Sequence, residues 1–225
     1  MIRFQYGDTL MQIPKLKASM HRDRAIQFKQ RLRWDVTVDA YGEEHDGYDE
    51  LNPIYIIVEN DEGLHAGSMR LLPTVGQTMT NDHFIHLSDG VAIQSPFIWE
   101  CTRLCLGESA DRTTAPALLA AGAKLMHECE IQHFVGVFDA RMTKIYARLG
   151  AKPTILGTSC TDGDAISVGL WEFDNSSFLR LCHKACLDPQ TLASQFDVSE
   201  IGGNRSIMLN PNVRVQEASW QVYSQ

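Results

Sequence analysis

The sequence lacks the features that would suit a membrane span, a disulfide framework or broad nucleic-acid binding. No apolar run approaches the roughly 18–20 residues that cross a bilayer, and the N-terminus lacks the basic-then-apolar order of a signal peptide. None of the six cysteines forms a CxxC pair, which favours reduced, packed thiols. The formal net charge of -8 argues against broad nucleic-acid binding, so any polyanionic partner must meet a local basic patch. We therefore expect a cytoplasmic protein with no membrane span and no nucleic-acid partner.

Potential metal ligands are also sparse. The one cluster, Cys182, His183 and Cys186, lacks the paired spacing of a structural zinc site. We expect no metal centre.

The composition is sufficient for one sizeable domain, because 44% of the 225 residues are hydrophobic. We expect a single domain over 1–197 and an irregular tail over 198–225, where Gly202, Gly203 and Pro211 interrupt the pattern. The predicted strands are 2–6, 54–59, 64–72, 97–106, 133–138, 153–157 and 165–173. The predicted helices are 19–33, 114–126, 140–149, 176–186 and 189–196. This alternation of strands and helices predicts an α/β fold in which helices cover both faces of a partly parallel sheet.

Two charges interrupt the apolar strand predicted at 97–106. Glu100 and Arg103 are three residues apart, so on an ideal strand they point to opposite faces. A second cation, Arg70, lies in the apolar run 66–72. Each charge needs a partner or a wet cleft. Either all three close salt bridges to neighbouring elements, or they line a cleft that binds a zwitterionic ligand.

The segment 35–52 is strongly acidic. It holds seven carboxylates and no lysine or arginine: Asp35, Asp39, Glu43, Glu44, Asp46, Asp49 and Glu50. One interpretation is a solvated loop. The other is a mobile segment that attracts a cationic substrate and closes over it, with Phe28 and Trp34 supplying aromatic faces for the cation.

Several of these residues together resemble a known family. The motifs are Trp99-Glu100-x-x-Arg103 and Gly67-x-x-Arg70-Leu71-x-Pro73-Thr74, preceded by Arg24, Phe28, Trp34, Asp46, Tyr48 and Asp49 in matching order and spacing. In combination they resemble the LuxI-type acyl-homoserine-lactone synthases over roughly residues 20–175. The resemblance implies a GNAT-like acyltransferase fold, with a mixed twisted sheet and helices on both faces.

The resemblance also implies an activity. Such enzymes make a lactone signal from S-adenosylmethionine and an acyl thioester, carried by acyl carrier protein or CoA, and release methylthioadenosine without a cofactor. Glu100 is the candidate general base for the substrate amine. Arg103 and Arg70 would hold the substrate carboxylate or Glu100 itself. The expected substrate-binding residues are Arg24, Phe28, Trp34, Asp46, Asp49 and Phe84. For Phe84 the alternative is a core anchor for the loop that contains it.

The acyl chain is expected to contact Gly136, Phe138 and Met142. Some family members that prefer a 3-oxo chain carry a threonine where this sequence has Gly136, so we expect no strong 3-oxo preference. On the helix predicted at 140–149, Arg141, Lys144 and Arg148 share one face, and Lys152 follows. This basic face is either an ordinary solvated surface or the docking surface for an acidic carrier protein.

Two rival functions remain open from the sequence. The first is a GNAT N-acetyltransferase using acetyl-CoA, but the R/Q-x-x-G-x-G/A loop typical of that class is missing after the central strand. The second is a non-catalytic regulatory domain on the same fold. Within the synthase hypothesis, Cys101 or Cys105 could carry the acyl group covalently. Neither has a histidine nearby in sequence, so direct transfer is favoured.

Overall fold

The structure, a computed structural model, describes residues 1–161 and 164–204. Its strands are β1 Ile2–Tyr6, β2 Thr37–Val38, β3 Glu44–His45, β4 Ile54–Glu59, β5 His65–Pro73, β6 Ile98–Leu106, β7 His133–Asp139, β8 Thr154–Thr161 and β9 Asp164–Trp171. Its α-helices are α1 Gly7–Leu10, α2 Pro14–Arg24, α3 Met79–His83, α4 Thr114–Glu128, α5 Ala140–Leu149, α6 Asn175–Lys184, α7 Pro189–Asp197 and α8 Glu200–Gly203. A π-helix, Ala25–Arg31, continues α2, and 3-10 turns occupy Gly47–Leu51 and Ile85–Ser88.

Seven of the strands form one mixed sheet in the order β1-β4-β5-β6-β7-β9-β8. Neighbouring strands are antiparallel except for the central pair, β6 and β7, which is parallel. The strands β2 and β3 form a separate two-stranded ribbon. The predicted mixed sheet is thus confirmed, with its one parallel pair at the centre.

Helices cover both faces of this sheet because the strands alternate two apolar faces. In β4, Ile54 and Ile56 belong to the main core, which also contains α4. The alternate residues of the same strand, Tyr55 and Ile57, pack instead with Leu10, Leu16 and Met20 of α1 and α2. The expected two-sided cover is therefore present.

The central strands separate at the middle of the sheet. β6 and β7 pair at three positions only, Ile98 with His133, Trp99 with Phe134 and Glu100 with Val135. Both strands continue beyond these pairs, β6 to Leu106 and β7 to Asp139. They therefore leave a wedge between them where the sheet has no ladder.

A β-bulge in β6 places Arg103. Ser68 pairs with Cys105 and Arg70 with Thr102, so β6 has one more residue than β5 between these pairs. Arg103 itself has a φ of 51°, in the left-handed region. The expectation that Glu100 and Arg103 point to opposite faces is wrong, because it assumed an unbroken alternation. The bulge lets Arg103 reach the same carboxylates as Arg70.

Several predicted boundaries differ from the structure. The helix expected from Ser19 begins at Pro14, since proline is tolerated at the first helical position and Leu16 and Met20 already face the core. The tail expected from Val198 is not irregular at first: Ser199 caps α8, and Ile201 is fully buried. The rest of the predicted tail, 205–225, lies outside the described residues.

Two further expectations concern cysteines and membranes. Cys182 is buried whereas His183 and Cys186 are exposed, and among the described residues the groups that could hold a metal lie elsewhere. Across residues 1–161 and 164–204 no helix combines the length and the apolar character needed to cross a membrane.

Candidate functional site

Three arginines from three different elements meet beside the wedge. Arg24 ends α2, Arg70 lies in β5 and Arg103 lies at the bulge of β6. Three carboxylates from the acidic segment, Glu44, Asp46 and Asp49, lie between them. We call these six residues the arginine network. Its formal charges balance, three against three.

Arg24 is fully buried and forms the deepest pairs of the network. Its Nε donates to Glu44 Oε2 at 2.6 Å, and its two terminal nitrogens donate to the two oxygens of Asp49 at 2.9 and 2.8 Å. This fork geometry is the strongest arrangement available to an arginine and a carboxylate. The pairs fix the acidic segment against α2.

Arg70 and Arg103 complete the network. Arg70 donates to Asp46, to Asp49 at 2.7 Å and through Nε to the Thr102 hydroxyl at 3.0 Å. Arg103 Nη2 lies 2.9 Å from Glu44 and 2.7 Å from Asp46. The three carboxylates are therefore matched by protein cations before any ligand binds. Their attraction for a cationic substrate stays a prediction, and these ion pairs would weaken it.

Local structure holds the carboxylates in place. Asp46 caps the 3-10 turn that follows it, accepting from the N–H groups of Tyr48 and Asp49, while the Asp49 carboxylate accepts from the Asp46 N–H. The Tyr55 hydroxyl also donates to Asp49. Burial alone would raise the pKa of Asp49, but the charges and hydrogen bonds of Arg24, together with Arg70, hold it well below its ordinary value.

Glu100 has a different environment from these carboxylates. It is fully buried and accepts hydrogen bonds from the backbone N–H groups of Met79, at 3.1 Å, and Thr80, at 2.6 Å. Burial raises its pKa, and the hydrogen bonds from Thr80 and Met79 and the charge of Arg70 offset this only in part. A buried carboxylate with a raised pKa is suited to accept a proton.

Arg70 and Arg103 do not hold Glu100 by hydrogen bonds, so that one of their two expected roles is wrong. Their donor atoms are directed to the carboxylates of the acidic segment, and Glu100 is instead held by the turn that begins α3. This turn brings Met79 beside Arg103, with its sulfur 4.0 Å from Arg103 Nη1.

A cavity of about 300 Å³ occupies the wedge between β6 and β7. At one end its lining includes Phe28, Trp34, Met79, Thr102 and Arg103. At the other end the lining is apolar and comes from β5, α4, β7, α5, β9 and the segment that follows β9. It consists of Met69, Leu119, Phe134, Phe138, Met142, Tyr146, Trp171 and Phe173. The cavity thus joins a polar end beside the arginine network to a deep apolar end.

Aromatic rings border the polar end. Phe28 and Trp34 stack with centroids 5.1 Å apart, and the Arg103 guanidinium lies 5.3 Å from the Phe28 ring centre. Trp34 is 41% exposed, so its ring forms part of the opening. Phe28 and Trp34 therefore line the cavity, and their contact with a substrate stays a prediction.

Phe84 does not lie there. It packs with Leu87, Val135 and Val168 on the sheet face covered by α3, and it is not among the residues that line the cavity. The alternative, a core anchor for its loop, describes its position. Contact between Phe84 and a substrate stays a prediction.

Gly136 lies where β6 and β7 begin to separate and lines the cavity with Phe138 and Met142. A Cβ atom at Gly136 would lie 2.8 Å from the backbone oxygen of Cys101. Any larger residue here would push the two strands apart. Position 136 therefore lacks the hydroxyl of a threonine and also has no room for a larger side chain.

The covalent alternative fits poorly with the surroundings of the thiols. Burial raises the pKa of both Cys101 and Cys105 to about 12. A thiol that stays protonated at neutral pH is a poor nucleophile, so direct transfer remains the favoured hypothesis.

The basic residues of α5 lie on the surface. Arg141, Lys144, Arg148 and Lys152 are all exposed, and Arg141 is paired with Asp139, which caps the helix. Arg141 also lines the cavity. This basic face therefore begins at an edge of the cavity.

Several residues that build the site do not stand out in the sequence. Glu44 is one of seven carboxylates, and it alone among them is fully buried, between Arg24 and Arg103. Thr102, Tyr55 and Met79 belong to none of the motif positions that carry the family resemblance. Thr102 could have been predicted from its position, because it lies two residues from Glu100 and so points to the same face of the strand.

A mixed sheet whose one parallel pair diverges around a cavity defines the GNAT-type N-acyltransferase class, and the position of the network and Glu100 beside that cavity fits an acyltransferase site. A family model described as autoinducer synthase matches residues 8–181. An acyl-homoserine-lactone synthase of Rhizobium etli is 38% identical over 190 residues, 80% of this chain and 89% of that protein. The chain belongs to the autoinducer synthase family and is an acyltransferase.

Solved structures share the fold. The acyl-homoserine-lactone synthase LasI superposes with a TM-score of 0.70 at 26% identity, covering 80% of this chain and 93% of that one. The CoA-dependent acyl-homoserine lactone synthase BjaI, solved with SAM and isopentyl-CoA, gives 0.73 at 18% identity, with coverage of 87% and 98%. The second likeness concerns the fold alone.

Proposed function

We propose that this protein makes an N-acyl-homoserine lactone from S-adenosylmethionine and an acyl thioester. The observation that carries the proposal is the cavity in the wedge, whose lining combines apolar side chains with Arg103. Glu100, the buried carboxylate with a raised pKa, precedes Cys101, which lines this cavity. An acyl chain fits the apolar end. The methionyl part fits the polar end, beside Phe28, Trp34 and Arg103.

Two bonds form in the proposed reaction. The methionyl amine attacks the thioester carbonyl, the carbon–sulfur bond breaks, and the thiol leaves. Glu100 accepts the amine proton, directly or through water, because a protonated amine cannot attack. The methionyl carboxylate then attacks its own γ-carbon and displaces methylthioadenosine, which closes the lactone. The sulfonium is already a good leaving group, so this chemistry requires no cofactor or metal.

The arginine network has a positioning role in this proposal. Arg103 is the one network arginine that lines the cavity, so it is the candidate for contact with the substrate carboxylate. Arg24 and Arg70 act through it, since they hold Glu44 and Asp46, the two acids that orient Arg103. Arg24, Asp46 and Asp49 therefore support the substrate site without lining it.

The test is release of methylthioadenosine by the purified protein. We expect release only when both S-adenosylmethionine and an acyl thioester are present, with the lactone as co-product by mass spectrometry. Transfer from acetyl-CoA to a generic amine or a lysine peptide, without methylthioadenosine, would favour the N-acetyltransferase instead. No turnover with any donor would favour the regulatory domain. Cytoplasmic location is part of the proposal, since these substrates are cytoplasmic.

The donor is proposed to be acyl carrier protein, docked on the basic face of α5. Charge reversal at Arg141, Lys144 and Arg148 together should raise the Michaelis constant for acyl carrier protein several-fold. The effect should be larger at low salt, because charge steering is screened over about 8–10 Å at physiological ionic strength. The constant for S-adenosylmethionine is the internal control and should not move. Unchanged use of the carrier protein at low salt would make acyl-CoA the better donor.

A further inference from the structure

The charged lining of the cavity is mainly basic in a protein of net charge -8. Three arginines line it, Arg31, Arg103 and Arg141, against a single carboxylate, Asp139. Arg103 is matched by Glu44 and Asp46, and Arg141 is paired with Asp139. The charge of Arg31 is the one that these pairs leave unmatched.

Arg31 ends the π-helix and is exposed. Its Nη1 donates to the neutral amide oxygen of Gln27 at 2.7 Å, and Gln27 also lines the cavity. Two other cations on the same helical segment have acidic partners: Arg22 faces Glu43 at 3.5 Å and Lys29 faces Asp35 at 3.9 Å. Among the ion pairs of the described residues Arg31 has none. A cation at a cavity edge, held by a neutral amide, is available to an anionic ligand.

An anion could also bind at the N-terminus of a helix, but in this structure a carboxylate already occupies the relevant helix start. Helix N-termini bind phosphate through free N–H groups, and α4 follows the central strand directly. Here the Asp111 carboxylate accepts from the N–H groups of Thr113, at 2.8 Å, and Thr114, at 3.2 Å. A carboxylate at this helix start would repel a phosphate, and the sequence lacks the glycine-rich loop that would cradle one. A donor phosphate must therefore be bound elsewhere.

We propose that Arg31 binds the phosphate of the phosphopantetheine arm that carries the acyl group. The inference rests on the proposed function, because it requires an acyl thioester in the cavity. It deepens that function by naming the part of the donor that the protein recognises. The planar guanidinium of arginine suits a phosphodiester. Acyl-CoA and acyl carrier protein share this arm, so the same contact serves either donor.

The test compares donors with and without the phosphate. The parent and Arg31→Ala are assayed with S-adenosylmethionine and either an acyl-phosphopantetheine or the matching acyl-pantetheine. Arg31→Ala should lower kcat/KM for the phosphorylated donor about tenfold or more, the usual scale for a hydrogen bond to a charged group. For the phosphate-free donor it should change kcat/KM less than about twofold, because the contact is absent.

Lys29→Ala is the matched control, since Lys29 is basic, exposed and on the same helical segment but does not line the cavity. Its kcat/KM for each of the two donors should equal that of the parent. Parallel assays with acyl-CoA and acyl carrier protein then identify the natural source of the arm. Equal losses with both donors in Arg31→Ala would overturn the phosphate contact while leaving the synthase activity intact. A parent that turns over no donor would overturn the proposed function and this inference with it.

Discussion

Two regions beside the cavity hold buried carboxylates in opposite ways. In the arginine network, Asp49 is surrounded by Arg24 and Arg70, which hold its pKa far below the ordinary value. At the start of α3, Glu100 is held by backbone N–H groups alone, and burial raises its pKa. The difference shows how one site keeps some acids permanently charged for structure while leaving another able to take up a proton.

The two regions should also differ in role, the arginine network in stability and Glu100 in proton transfer. Residues of the network contact one another across five elements, so their loss should weaken the fold. The Glu100 carboxylate accepts hydrogen bonds from the start of α3 and forms no ion pair among those of the described residues, so its loss should affect proton transfer more than the fold. Variants in the two regions should therefore fail in different assays.

The largest effect is expected from breaking the network. Arg24→Ala leaves Glu44 and Asp49 buried without their main partner, which should lower the free energy of unfolding by about 3–5 kcal/mol. The matched control is Arg22→Ala, two residues earlier on α2, whose exposed pair with Glu43 should be worth about 0–1 kcal/mol. Urea denaturation followed by circular dichroism measures both. Equal losses for the two variants would show that the network is not a structural unit.

Glu100→Gln should lower activity and leave stability nearly unchanged. Turnover should fall by about two or more orders of magnitude, the usual scale for a positioned acid–base group, while the melting temperature stays close to that of the parent. The neutral amide keeps the size of the side chain but cannot accept the proton. Methylthioadenosine release and thermal melts give the two readouts.

The exposed Glu108, just beyond β6, provides the control substitution Glu108→Gln, which should leave turnover unchanged. Near-normal turnover in Glu100→Gln at an unchanged melting temperature would remove Glu100 from the mechanism.

The smallest expected effect is on the pH dependence of the free energy of unfolding, which should have opposite signs for the two regions. Asp49 has a lowered pKa, so its contribution is present above its unfolded pKa and is lost as the pH falls through the acid range. Asp49→Asn should thus cost most stability near pH 7 and less in acid. Glu100 has a raised pKa, so ionising it costs stability as the pH rises. Glu100→Gln should be at least as stable as the parent near pH 7, with the difference vanishing in acid. Parallel curves for both variants between pH 4 and 7 would contradict the contrast.

The strands and helices were predictable because their signals are local. β6 and α5 follow from apolar runs and from their bracketing residues, and Asp139 and Gly150 cap α5 as such residues commonly do. The bulge at Arg103 was not predictable, since it depends on register with β5, about 30 residues earlier in the chain. The wedge depends on the same long-range pairing.

The residues of the candidate site could be predicted from the sequence, but their ion-pair partners could not. The sequence placed Arg70, Arg103 and Glu100 together, yet it could not show that the arginines bind Glu44, Asp46 and Asp49 rather than Glu100. Those partners are 20 to 59 residues apart along the chain. Nothing local distinguishes Glu44 from the six other carboxylates of its segment. The roles in substrate binding and docking that we assign to these residues remain predictions.

The central claim is that the environment of Glu100 keeps its proton affinity above that of an ordinary glutamate, and this affinity can be measured directly. Carbon-13 NMR of protein labelled at the glutamate carboxyl carbons, compared with Glu100→Gln, identifies the Glu100 signal by its loss. Its shift against pH should give a midpoint above the ordinary value of 4.5. A midpoint at or below 4.5 would contradict the claim, because Glu100 would then resemble the permanently charged acids of the arginine network.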